Sequence, residues 1–145
     1  MIRTYSFRPV VDFDSYDDVK YKIENLNVVD VMLREQCRFD RFVVLENIWF
    51  TDDELRFQIS SENNWGWENT LSDEVIKKFN EISFGHRQTF SNVLKYFIEA
   101  AAEIYNKFDI GVKLSDDIQF RADTIRQRYL ERQEECVPTA NILSH

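Results

Sequence analysis

Apolar residues along this chain switch between a two-residue and a 3.6-residue period, and the switches mark out its elements. Tyr5 and Phe7 alternate with Thr4, Ser6 and Arg8, the period of a strand, which Pro9 ends or keeps at an edge. Ser15 then offers an N-cap followed by Asp17 and Asp18. Tyr16, Val19, Ile23 and Leu26 recur at helical spacing to Asn27, which predicts a first helix. The next stretch, Val28 to Leu33, fits either a β-branched strand or a short helix capped by Asn27; periodicity does not separate the two at this length, and the strand is the reading adopted.

From Arg41 to Phe50 the chain is dense in β-formers and apolar on both faces, the pattern of a central strand. The turn cluster Thr51-Asp52-Asp53 follows, and Leu55, Phe57 and Ile59 then alternate with Arg56, Gln58 and Ser60, completing a β-hairpin. Beyond it the period becomes helical. Ser72 can cap a helix opening on Asp73 and Glu74, with Val75, Ile76, Phe79 and Ile82 on one face. From Thr89, the residues Phe90, Val93, Leu94, Phe97, Ile98, Ala101, Ile104, Tyr105 and Phe108 hold the 3.6 period over five turns, the wide stripe of a central core helix. Gly111 is placed to terminate it. Ser115-Asp116-Asp117 starts a last helix, which ends at or before Pro138.

The expected fold is therefore α+β: an N-terminal, mostly antiparallel sheet of three to four strands with one early helix, packed against three C-terminal helices. No repeat or Pro/Ser/Gly-rich linker divides the chain, so residues 1–137 read as one domain and 138–145 as a flexible tail. Twelve Phe, six Tyr and three Trp supply the bulk for a single core.

Composition removes several function classes. The three glycines, Gly66, Gly85 and Gly111, are isolated, so neither a dinucleotide turn nor a phosphate-cradling P-loop can be written. Cys37 and Cys136 stand far apart without a CxxC or paired histidines; this is neither a metal set nor a disulfide framework, and reduced thiols in the cytoplasm are the simplest reading. No metal or cofactor is expected. The N-terminus lacks a basic region followed by an apolar run, so no secretory signal is expected, and no apolar stretch reaches membrane-spanning length. A net charge of −8 and a pI near 4.8 disfavour nucleic-acid backbones and anionic membranes, and favour a protein partner with a basic surface.

Three regions carry candidate chemistry. Between the hairpin and the helical half, Trp65 and Trp67 flank Gly66 among Glu62, Asn63, Asn64, Glu68 and Asn69; either the rings anchor a partner or they fold back to plug the sheet–helix seam. Acidic residues gather with an aromatic at Asp14, Tyr16, Asp17 and Asp18, where helix capping and the dipole account for them without a function and a basic protein surface is the alternative reading. In the last helix, Ile118, Ala122, Ile125, Tyr129 and Cys136 make a narrow seam suited to a second copy of the chain. Phe120 and Leu130 fall off that seam, and Arg121, Arg128 and Arg132 line one flank. Asp117, Asp123, Glu131 and Glu135 stand three or four residues from arginines and can satisfy that row within the helix.

These features favour a non-enzymatic, acidic binding protein that docks on another macromolecule as an inhibitor, immunity-type or regulatory factor, in one version as a nucleic-acid mimic. The partner-binding candidates are Trp65, Trp67, Glu62, Glu68, Asp14, Tyr16, Asp17 and Asp18. The candidate homodimer contacts are Phe120, Ile125, Tyr129 and Leu130. The rival readings are a small enzyme using His86 and carboxylates in a sheet–helix pocket, and a subunit of a larger assembly. His86 stands beside Arg87 with no second histidine near it in sequence, and a surface role suffices for it.

Overall fold

The computed structural model describes residues 2–9, 19–51, 54–61, 68–84 and 89–136. The elements run β1 (Ile2–Phe7), α1 (Val19–Gln36), β2 (Arg41–Thr51), β3 (Glu54–Ser61), α2 (Glu68–Ser83), α3 (Phe90–Asn106), β4 (Ile110–Leu114) and α4 (Asp116–Cys136). The four strands form one sheet in the order β1-β3-β2-β4, antiparallel except that β4 lies parallel to β2. This is the expected α+β arrangement, with β2 central and its hairpin partner β3 beside it.

A β-bulge resets which side the second half of β2 turns to the core. The register with β3 slips between Leu45 and Asn47, so Glu46 is an extra residue and the alternation of faces resets. Val43, Leu45 and Ile48 are consequently all buried, while Phe42, Val44 and Trp49 lie half-buried on the opposite face. The buried side continues through Leu55, Phe57 and Ile59 of β3 and Ile110 and Val112 of β4. Against it sits α3. Phe97 is fully buried with its ring centroid 4.7 Å from that of Phe57, and Phe79 of α2 extends the cluster to Phe7 of β1. Helices α1 and α2 flank α3 in the same layer, and α4 packs on α1 and on the edge of β2.

Four expectations need correction. Val28 to Leu33 is helix, because α1 continues to Gln36. Leu26 and Val29 are buried and Met32 and Leu33 pack on the core, whereas Val28 and Val31 face outward; helical burial outweighs the roughly 0.5 kcal/mol per residue by which β-branching disfavours a helix. Ser72 is no cap, since α2 has already begun at Glu68, and its hydroxyl lies buried without a hydrogen-bond partner. Gly111 does not terminate α3. That helix stops at Asn106, the left-handed residue is Asp109 at φ 58°, and Gly111 lies within β4, a strand the periodicity missed. Phe108, beyond the helix end, is exposed rather than part of the core stripe.

Two helices start where expected, and each start is capped. Thr89 Oγ1 accepts a hydrogen bond from the backbone N–H of Asn92, and Ser115 Oγ accepts one from Ile118. Ser115 also donates to the Glu46 carbonyl while its own N–H bonds the Leu45 carbonyl, so the start of α4 is tied to β2 just where β4 ends. Ser15 and Pro138 lie outside the described residues, as does the segment 138–145 read as a tail.

Candidate functional site

Of the partner-binding candidates, Asp14, Tyr16, Asp17, Asp18, Glu62, Trp65 and Trp67 lie outside the described residues, as do His86 and Arg87. Glu68 is placed only as the first residue of α2. The next residue, Asn69, accepts a hydrogen bond from the Tyr5 hydroxyl at 2.8 Å, and this fixes the first turn of α2 to β1 directly after the tryptophan segment.

The α4 seam is used within the molecule. Ile118 and Ala122 are buried and Ile125 packs on the core, with Tyr129 half-buried. Phe120 and Leu130 remain exposed, at 74% and 54%. The arginine row is divided. Arg121, exposed overall, reaches the protein with its guanidinium, which donates to the Ile48 carbonyl at 3.2 Å and lies 4.0 Å from the Phe90 ring centroid; partial burial there lowers its pKa from the usual guanidinium value. Arg128 is exposed. Sequence spacing pointed to neither of these roles, nor to that of Arg126, whose guanidinium joins Asp30 at 2.6 Å, Asp123 at 3.0 Å and the Leu26 carbonyl, clamping α4 to α1.

Charge is segregated between the two layers. The strands carry four cations, Arg3, Arg41, Arg56 and Lys113, against two carboxylates, Glu46 and Glu54. Helix α2 carries four carboxylates against two lysines, α3 two against one and α4 six against four, while α1 is balanced at three against three. Along the outside of the helical layer Glu24, Glu35, Asp73, Glu74 and Glu99 are exposed. Lys78 bridges Glu103 of α3 at 3.2 Å and Glu81 of its own helix at 3.3 Å. The hydrogen bond to Glu103, and then that to Glu81, raise the Lys78 pKa.

The face of the sheet opposite the helices is the second surface. One cross-strand row reads Ile2, Ser60, Val44, Lys113, and neighbouring rows bring Thr4, Gln58 and Asn47, then Ser6, Arg56 and Trp49. A concavity of about 330 Å³ opens on it, lined by Ile2, Phe42, Val44, Glu46, Ser60, Ser61 and Lys113. Ser60 donates to Glu46 at 2.6 Å, Lys113 Nζ lies 3.8 Å from the Phe42 ring centroid, and Ile2 is 58% exposed at the rim. The two-sided apolar pattern of β2 is the sequence signal for this surface, and the same pattern also fits a central strand.

A wider concavity, of about 540 Å³, lies where the α1–β2 and α3–β4 turns meet, between Arg38, Phe39, Asp40, Arg41, Asn106 and Asp109. Arg41 is held by the Phe108 carbonyl at 2.8 Å, and Arg38 stacks on Phe39. Among the described residues no group of three or more His, Cys, Asp or Glu is placed to hold a metal ion, and Cys37 is an exposed free thiol. No described helix is long and apolar enough to cross a membrane. No protein-family model matches this chain, and searches of curated proteins and of solved structures find no match either.

Proposed function

We propose that this chain is a non-enzymatic, acidic, cytoplasmic binding protein that docks on a basic surface of another protein and acts by occupying it, as an inhibitor, immunity-type or regulatory factor does. The observation that carries this reading is the segregation of charge. In a chain of net charge −8, the strands hold an excess of cations, so the negative field is concentrated on the helical layer and loops. A concentrated field of one sign steers a partner of the other sign and raises the encounter rate.

The contact is assigned to the start of α2 and the segment before it. Asp73 and Glu74 are exposed there, and Glu68, Trp67 and Trp65 precede Asp73 by five, six and eight residues. Carboxylates supply orientation, and the indole rings supply short-range energy of the kind found at interface hot spots. The exposed, unpaired Cys37 agrees with a reducing compartment.

Affinity capture from the source cells, followed by binding measurements on the captured partner, tests the proposal. Trp65→Ala or Trp67→Ala is expected to weaken binding by about 2 kcal/mol or more without lowering the melting temperature. The triple variant Asp73→Asn, Glu74→Gln, Glu99→Gln is expected to slow association and flatten its dependence on salt. If the tryptophan variants are destabilised and their folded fraction binds normally, and the triple variant associates as fast as the wild type, the interface is wrongly assigned.

A further inference from the structure

We infer that the face of the sheet on which no described helix packs is a self-association surface, where a second copy of this chain packs sheet against sheet about a two-fold axis. Three observations select a second copy as the occupant.

The first is charge. On this face Arg56 and Lys113 are balanced by Glu46 and Glu54, and the remaining side chains are neutral: Ile2, Thr4, Ser6, Phe42, Val44, Asn47, Trp49, Gln58 and Ser60. Two chains of net charge −8 repel, and they repel least where they meet through a neutral surface. A two-fold contact brings a patch against itself, so a patch bearing both signs can be self-complementary where a purely acidic one cannot.

The second observation is shape. The same patch carries an exposed apolar group, Ile2, that lines a recess together with Phe42 and Val44. A knob beside its own hole lets two copies fill each other reciprocally. The third is chemistry at the recess. Glu46 and Lys113 both line it without a salt bridge between them, each occupied by a neutral neighbour, Ser60 and the Phe42 ring. Each is therefore available to an opposite charge on the facing copy, where sheets packed about 10 Å apart interdigitate their side chains.

Sedimentation velocity across a concentration series tests this directly. The wild type is expected to move from monomer to dimer as concentration rises. Lys113→Glu and Glu46→Lys, each of which unbalances the face, should each raise the dimer dissociation constant by about tenfold or more. The double variant Glu46→Lys, Lys113→Glu restores the balance and should recover dimerisation. Circular dichroism and melting curves confirm that each variant is folded, and Thr4→Lys provides an independent probe on β1. A wild type that stays monomeric at every concentration, or a dimer indifferent to all of these substitutions, overturns the inference.

Discussion

The Phe42 ring lies across Gly111. The two are paired in the parallel register of β2 and β4, and a Cβ on Gly111 would stand 2.7 Å from Phe42 Cε1 and 3.1 Å from the Gln36 carbonyl oxygen. Glycine at this strand position serves close approach, since a Cβ would require the Phe42 ring to move, and it does not serve a turn. On the open face of the sheet the Phe42 ring thereby takes the place that a β4 side chain would fill.

Gly111→Ala is accordingly expected to destabilise the fold. Overpacking costs about 1–3 kcal/mol, and this exceeds the roughly 0.4–1 kcal/mol that alanine returns by restricting the unfolded chain. In a Phe42→Ala background the cost should shrink, leaving the Gln36 carbonyl as the remaining obstacle. Urea denaturation of the four members of the cycle measures the coupling; a coupling near zero would mean that the ring yields freely.

Phe97→Ala is expected to cost about 3–5 kcal/mol, the usual loss for removing a large aromatic ring from a core. Phe97 is fully buried between Phe57 and Phe79, the junction of the sheet and the helical layer. Phe120→Ala provides the contrast, since Phe120 is 74% exposed and its loss should fall within about 0.5 kcal/mol. Equal denaturation midpoints for the two variants would contradict the placement of the core.

Arg126→Ala should destabilise by about 1–3 kcal/mol, because the guanidinium bonds Asp30, Asp123 and the Leu26 carbonyl while largely buried, and hydrogen bonds to charged groups are the stronger kind. Arg128→Ala, two residues on and exposed, should change stability by less than about 0.5 kcal/mol. The same chemical deletion on one helix separates a clamp from a solvated charge. Melting curves of both variants at low and high salt decide it, and a salt-sensitive loss confined to Arg128 would reverse the assignment.

What could be read from the sequence was what repeats. The stripe from Phe90 to Tyr105 is long enough for the 3.6 period to identify α3 as the core helix. The alternation in β3 identified a one-sided strand, and Thr89 and Ser115 announced their helices because capping is local chemistry. Local pattern failed where the deciding partner is distant in sequence. Val28 to Leu33 carries β-branched residues, yet its state is set by Leu26 and Val29 burying against other elements. The five residues of β4 are too few to declare a period, and Gly111 reads as a helix stop until Phe42 is seen above it.

The surfaces divide in the same way. The sequence alone determined the net charge of −8, the scarcity of glycine and the presence of two tryptophans in one short segment, because these are sums and neighbours along the chain. Only the tertiary structure decided that cations gather in the strands while carboxylates line the outside of the helical layer. Only it decided that a bulge at Glu46 turns Ile48 inward with Val43 and Leu45 and puts Trp49 on the side of Phe42 and Val44, a face on which no described helix packs. The physical reason is that burial and the electrostatic field are properties of what lies nearby in space, and the pairing of strands separated by many residues is what brings those groups together.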